Sequence, residues 1–235
     1  MISIIGRGNV ATHLFKALKG KVKVGLVNPH KIEELPPESE IIIIAVADNA
    51  ITQVAEKIPQ TEAVVAHTAG SVPLDVLKDR FKHSGVFYPL QTFTKDCEMD
   101  YSGLPIFIEA SDDFSNSRLK ELALLISDNV RKAGSEERKK LHLAAVFACN
   151  FTNAMAGIAE EIIRDYGLDF STLFPLLKQT VGKLERISPK TAQTGPAVRG
   201  DSKVMEKHLQ MLEQYPELQE IYSIISKYIS HAKSL

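Results

Sequence analysis

The chain has no tryptophan and only two cysteines in 235 residues, and its 28 basic and 29 acidic side chains leave a formal charge of −1. Each scarcity excludes something. Cys97 and Cys149 cannot build a disulfide framework, and their spacing fits neither a metal site nor a redox pair. They read as reduced thiols, so a cytoplasmic setting is expected and no metal is. Balanced charge gives no electrostatic reason to expect nucleic acid or an anionic membrane as partner. The longest uncharged run, residues 143–159, falls short of the roughly 20 residues of a spanning helix and carries Asn150, Thr152 and Asn153. It reads as a buried core helix with Cys149 inside it, not as a membrane segment. The N-terminus has no basic leader and enters a strand pattern at once, so no signal peptide is expected.

What is present begins at that strand. Residues 1–5 are apolar, and Gly6-Arg7-Gly8-Asn9-Val10-Ala11 leads from them into a helical pattern. Strand, G-x-G-x-x-A, then helix is the fingerprint of a dinucleotide-binding βαβ unit. Gly6 permits the tight turn, Gly8 leaves room for a pyrophosphate, and Ala11 lets the helix pack closely on the strand. The N–H groups of the helix N-terminus then face the anion. Further strands are expected at 22–27, 41–47, 63–67, 86–88 and 105–109. Helices are expected at 50–58, 73–81 and from Asp112 or Asp113 to 126. That alternation implies a doubly wound, mostly parallel sheet. From Ser135 only helical signals remain, at 136–166, 171–184, 202–214 and 216–232, with an irregular break at 188–201 rich in proline and glycine. The expected organisation is a Rossmann-like α/β domain at 1–133 and an all-α domain at 134–235.

Ligands of such sheets bind beyond the carboxyl ends of the strands. The second strand ends in Asn28-Pro29-His30-Lys31. An acidic residue there would repel a 2′-phosphate, whereas Asn28, His30 and Lys31 would attract one, so NADP is favoured. The alternative is a solvated turn. Ala47 and Asp48 are expected along the cofactor, Asp48 having helix capping as its other reading. His67, Thr68, Tyr88 and Gln91 stand at later strand ends and could face nicotinamide or substrate; His67 could equally be a satisfied histidine, and Tyr88 a packed one with its hydroxyl at the surface. In the helical half, His142, Asn150 and Asn153 share one broad face at 100° per residue, and a buried asparagine needs a partner, either substrate or backbone. Arg199 could fork onto a carboxylate, while Gly200 and Asp201 read as a turn residue and an N-cap.

The segments IIIIAVADNAI, HTAGSVPLD, YPLQTF, HLAAVFACNF and TAQTGPAVRGD, in that order behind the glycine turn, resemble over the whole chain a bacterial family. Its members pair an NADP-binding Rossmann-like domain with a helical domain of the 6-phosphogluconate dehydrogenase C-terminal type. At superfamily level it is similar to pyrroline-5-carboxylate reductase, ketopantoate reductase and the β-hydroxyacid dehydrogenases. The resemblance implies NADP at the first domain, substrate in the cleft between domains, and a homodimer through the helical one. Three departures stand out: Ala69 where relatives often have serine, Tyr88 where they often have histidine, and no lysine at the β-hydroxyacid dehydrogenase position.

Together these readings predict an NADP-dependent oxidoreductase that moves a hydride between nicotinamide and a small polar metabolite. His142, Tyr88 and Asn150 are the candidate catalytic groups. Gly6, Gly8, Asn9, Val10, Ala11, Asn28, His30, Lys31, Ala47 and Asp48 are expected to bind cofactor. His67, Thr68, Gln91, Asn153 and Arg199 are expected to bind substrate. The alternatives are a non-catalytic NADP(H)-binding regulator or scaffold, and a deazaflavin as hydride donor.

Overall fold

The computed structural model describes residues 1–232; the last three residues of the expected helical domain lie outside the described residues. The chain divides into two compact units, Met1–Phe151 and the residues from Thr152 onward.

The first unit is built on a seven-stranded sheet. Its strands are β1 (Ile2–Ile5), β2 (Val24–Val27), β3 (Ile41–Ile44), β4 (Val64–His67), β5 (Ser84–Pro89), β6 (Ile106–Ala110) and β7 (Val130–Lys132), ordered β2-β1-β3-β4-β5-β6-β7. All neighbours are parallel except β5 and β6. The helices are α1 (Asn9–Leu18), α2 (Ile51–Lys57), the short α3 (Asp75–Lys78), α4 (Asp113–Leu124) and α5 (Ser135–Ala145).

The four isoleucines of β3 explain why this sheet is central. Ile41 and Ile43 join a core with Leu14 and Leu18 of α1 and Leu119 of α4. Ile42 and Ile44 point the other way, into a core with Ile51 and Val54 of α2. A strand covered on both faces has no need of polar alternation. Each of the four isoleucines is at most 2% exposed, and burying each is worth about 1.5–3 kcal/mol. The Asp112 side chain caps α4 by accepting the Ser115 N–H at 2.9 Å. Desolvation raises that carboxyl's pKa, but hydrogen bonds from Ser115, His83 and Ser111 outweigh it and hold the group well below the usual carboxylate range.

β7 has no counterpart in the sequence reading. Val130-Arg131-Lys132 is three residues long, two of them charged and exposed, which is how a sheet edge discourages further pairing. The same composition hides it from any pattern search.

The second unit is helical: α6 (Thr152–Arg164), α7 (Phe174–Lys183), two one-turn helices α8 (Pro189–Ala192) and α9 (Pro196–Arg199) inside the expected irregular break, α10 (Ser202–Met211) and α11 (Pro216–Ala232). Gly200 ends α9 in the left-handed region and Asp201 caps α10 through the Val204 N–H.

The run expected to be buried is not. Leu143 is 58% exposed, Phe147 63% and Phe151 47%, and Cys149 is exposed rather than in the core. Lack of charge says that a segment avoids water but not what covers it, so burial in this chain's own core did not follow. By length and composition the helical run Ser135–Arg164 would be apolar enough to cross a membrane. Its middle, Val146–Phe151, is a π-helix. A wider turn changes the angular step per residue, which removes the basis for placing His142, Asn150 and Asn153 on one face. Asn150 and Asn153 are both exposed, so neither is a buried amide in need of a partner.

Candidate functional site

The turn after β1 does what its glycines require. A Cβ on Gly6 would lie 2.2 Å from the backbone oxygen of Ala45 and 3.0 Å from the Ala11 Cβ, so both residues are held small by the contact of α1 with β1 and β3. Gly8 is the N-cap of α1 in extended conformation, and the space beside it is open. No side chain caps α1, and no acidic residue lies in its first turn. The first-turn N–H groups of Asn9, Val10 and Ala11 therefore have no intrahelical partner and point toward the carboxyl edge of the sheet, an arrangement that suits an anion.

Around that terminus the predicted residues take unequal parts. The Asn9 side chain is exposed, and its Nδ2 donates to the Phe93 carbonyl at 2.7 Å. Asn28 lies beside Gly6, whose N–H donates to the Val27 carbonyl at 3.1 Å, but the Asn28 Oδ1 accepts the His30 N–H and closes a local turn. His30 and Lys31 are exposed, and Lys31 pairs with Glu34 at 2.7 Å. That pairing raises the lysine above its usual range, with the charge of Arg7 opposing. Arg7 is a residue the sequence reading missed. It is exposed between the two glycines, and the parallel register Ile5↔Val27 sets it beside the end of β2.

The carboxyl ends of β3, β4 and β5 form a second cluster. Ala47 and Asp48 follow β3 and are exposed, and the Ser71 hydroxyl donates to the Asp48 carboxylate, tying the two strand-end loops together. His67 is wholly buried. Its Nδ1 accepts the Ala69 N–H at 3.2 Å and its Nε2 lies 3.4 Å from the Pro73 carbonyl, which assigns the neutral tautomer with the proton on Nε2. Burial, reinforced by the charge of Arg138, lowers its pKa to about 4. Thr68 is buried and continues the ladder through its N–H to the Ile44 carbonyl.

Tyr88, near the end of β5, places its hydroxyl 3.2 Å from the His142 Nδ1 on α5. Burial raises the phenol pKa, Arg138 opposing and Asp48 assisting, so Tyr88 stays protonated at neutral pH. Gly70 makes the pair possible: a Cβ there would meet the Tyr88 ring at 2.7 Å and the His142 side chain at 2.9 Å. The Gln91 side chain turns back to accept the Thr92 N–H. Asn153 and Arg199 stand in the helical unit, both exposed.

Two further residues escaped the sequence reading. Arg138 is fully buried, although a run of five charged residues at 136–140 reads as a solvated face; the available signal was its position four residues before His142. Glu109, which binds it at 2.8 Å, carries no local signal at all.

The profile described as "Domain of unknown function (DUF2520)" matches residues 104–229. Among solved structures, a candidate NADP oxidoreductase of Bacteroides fragilis is 38% identical, covering 98% of this chain and 97% of that one, with a TM-score of 0.89. A Thermotoga maritima protein is 23% identical over 100% of this chain and 98% of that one, TM-score 0.73. The reductive aminase of Aspergillus terreus in complex with NADPH and ethyl-5-oxohexanoate shares the fold at 14% identity, 98% and 92% coverage and a TM-score of 0.73. No curated protein sequence matches this chain.

Proposed function

The chain belongs to the DUF2520 family, and from that premise we propose that it is an NADP-dependent oxidoreductase acting on a small polar metabolite with a C=O or C=N bond. The observation that carries the reading is the uncapped N-terminus of α1 behind Gly6 and Gly8, with Arg7 and Lys31 beside it. The N–H groups of Asn9, Val10 and Ala11 would hold the pyrophosphate. Arg7, His30 and Lys31 would receive the 2′-phosphate. When bound, the nicotinamide supplies or takes the hydride. Tyr88, kept neutral by burial, gives its proton to the substrate heteroatom, and His142 at 3.2 Å restores it from solvent. Ala47 and Asp48, past the end of β3, would lie along the cofactor, and Thr68 and Gln91 at the neighbouring strand ends would orient the substrate.

Titration of the purified protein with NADPH and NADH, followed by nicotinamide fluorescence, tests the cofactor site. NADPH is expected to bind in preference to NADH. Lys31→Glu or Arg7→Glu should weaken NADPH roughly ten- to hundredfold, the loss of one charge-assisted contact, and leave NADH little changed. No binding of either nucleotide would remove the oxidoreductase reading.

The exposed apolar side chains Leu143, Phe147 and Phe151 support a homodimer through this run, because large apolar patches are rarely left in water. Sedimentation equilibrium should return the mass of two chains, and Phe147→Glu should shift it toward one. A wild-type protein that stays monomeric and partitions onto lipid vesicles would contradict the dimer. Two free cysteines, both exposed, fit a cytoplasmic location.

A further inference from the structure

Arg138 is fully buried and uses all three guanidinium nitrogens. Nη1 donates to the Glu109 carboxylate at 2.8 Å, Nε to the Ala69 carbonyl at 3.3 Å, and Nη2 to the Val72 carbonyl. The same carboxylate accepts the Ser135 N–H at 3.0 Å and the Ser135 hydroxyl at 2.8 Å. That hydroxyl in turn accepts the Leu74 N–H at 3.2 Å. One ion pair therefore joins the end of β6, the first turn of α5 and both sides of the turn at 69–72. Between the two carbonyls it grips lies Gly70, the residue in contact with Tyr88 and His142. His142 is one helical turn beyond Arg138, on the same side of α5.

A buried ion pair of this kind is a poor source of stability, since the desolvation of two charges offsets most of their attraction. A hydrophobic pair would hold β6 against α5 as well. What it could not do is fix two backbone carbonyls in a planar fork. We propose that Arg138 is the positioning residue of this site. Anchored by Glu109, it sets the turn at 69–72 against Tyr88 and His142, and so fixes the geometry in which the phenol meets the imidazole. This rests on the reading of Tyr88 and His142 as the proton-transfer pair, but its test needs no substrate.

The experiment compares full-length wild type, Arg138→Met, Arg138→Lys and Glu109→Gln. It records the His142 ring resonances by NMR, assigned with a His142→Gln variant. It also records the ionisation of Tyr88 by ultraviolet difference against Tyr88→Phe. In Arg138→Met the His142 resonances should shift and Tyr88 should ionise at higher pH, because a nearby cation is gone. Glu109→Gln should move Tyr88 the other way, since the arginine field is no longer neutralised, and this milder variant decides the matter if Arg138→Met does not fold. Arg138→Lys should restore the Tyr88 ionisation, which needs only charge. It should leave the His142 resonances displaced, because the single tetrahedral nitrogen of an ammonium cannot reproduce the three positions from which Nε, Nη1 and Nη2 reach their separate acceptors. Folded variants whose His142 and Tyr88 signals match wild type would overturn the proposal. NADPH titration of the same samples reports separately. Wild type that fails to bind the nucleotide while His142 responds to Arg138 would end the oxidoreductase reading and leave the positioning role standing.

Discussion

Tyr88→Phe is expected to lower hydride transfer to a carbonyl or imine substrate by roughly 10²–10⁴-fold, the usual weight of one proton donor in the transition state. NADPH affinity should stay within a factor of about two. The argument is geometric first. The phenol sits near the end of an inner strand, buried, and among the described residues its one titratable hydrogen-bond partner is the His142 Nδ1 at 3.2 Å. It is then electrostatic. Burial favours the neutral phenol, so the proton is present across the neutral range and is lost on the alkaline side. His142→Gln should cost less, because solvent can replace a relay. The double variant should be no worse than Tyr88→Phe alone, since a relay with nothing to recharge contributes nothing. Pre-steady-state oxidation of NADPH at 340 nm, with the substrate found by screening, measures all three. Unimpaired transfer in Tyr88→Phe would move the proton donor elsewhere.

The part of this site legible in the sequence is the part encoded locally. Gly6, Gly8 and Ala11 could be read because a turn, a cap and a close helix–strand contact each constrain one residue and its near neighbours. The strand ends could be read because four consecutive isoleucines with turn residues behind them leave little choice of structure. Arg138 and Glu109 could not be read, because their meaning depends on β6 and α5 coming together across 29 positions. The clasp over α1 is of the same kind. Asn9, His13 and Lys16 contact the successive carbonyls of Phe93, Thr94 and Lys95. The sequence could not show that the Asn9 side chain is taken up by that loop while its backbone N–H stays at the open helix end. The π-helical segment at Val146–Phe151 shows a third limit: a helix can be predicted from periodicity while the period itself is wrong.

Acid should loosen the sheet unit before its carboxylates titrate, and His67 is the reason. Burial, with the charge of Arg138 assisting and the Pro73 carbonyl opposing, holds its pKa at about 4 against 6.5 for an open histidine. In that interval the unfolded chain binds a proton that the folded one refuses. His67 therefore favours folding fully above about pH 6.5, and the contribution is lost as pH falls toward 4. Integrated to pH 4.5, the loss is about 2.5 kcal/mol. Asp112 acts lower, since its depressed pKa gives up stability only below the ordinary carboxylate range near 3.8. The two windows barely overlap. Because the chain has two units, one global melting curve would mix them, so the measurement belongs in the sheet itself. Hydrogen-exchange protection of the β3 and β4 amides, corrected for intrinsic rates, should fall steeply between pH 6.5 and 4.5 in wild type. In His67→Gln it should start lower and stay nearly flat. Parallel slopes in the two proteins would mean that the imidazole escapes burial on protonation, and that the turn at 69–72 is softer than its hydrogen bonds imply.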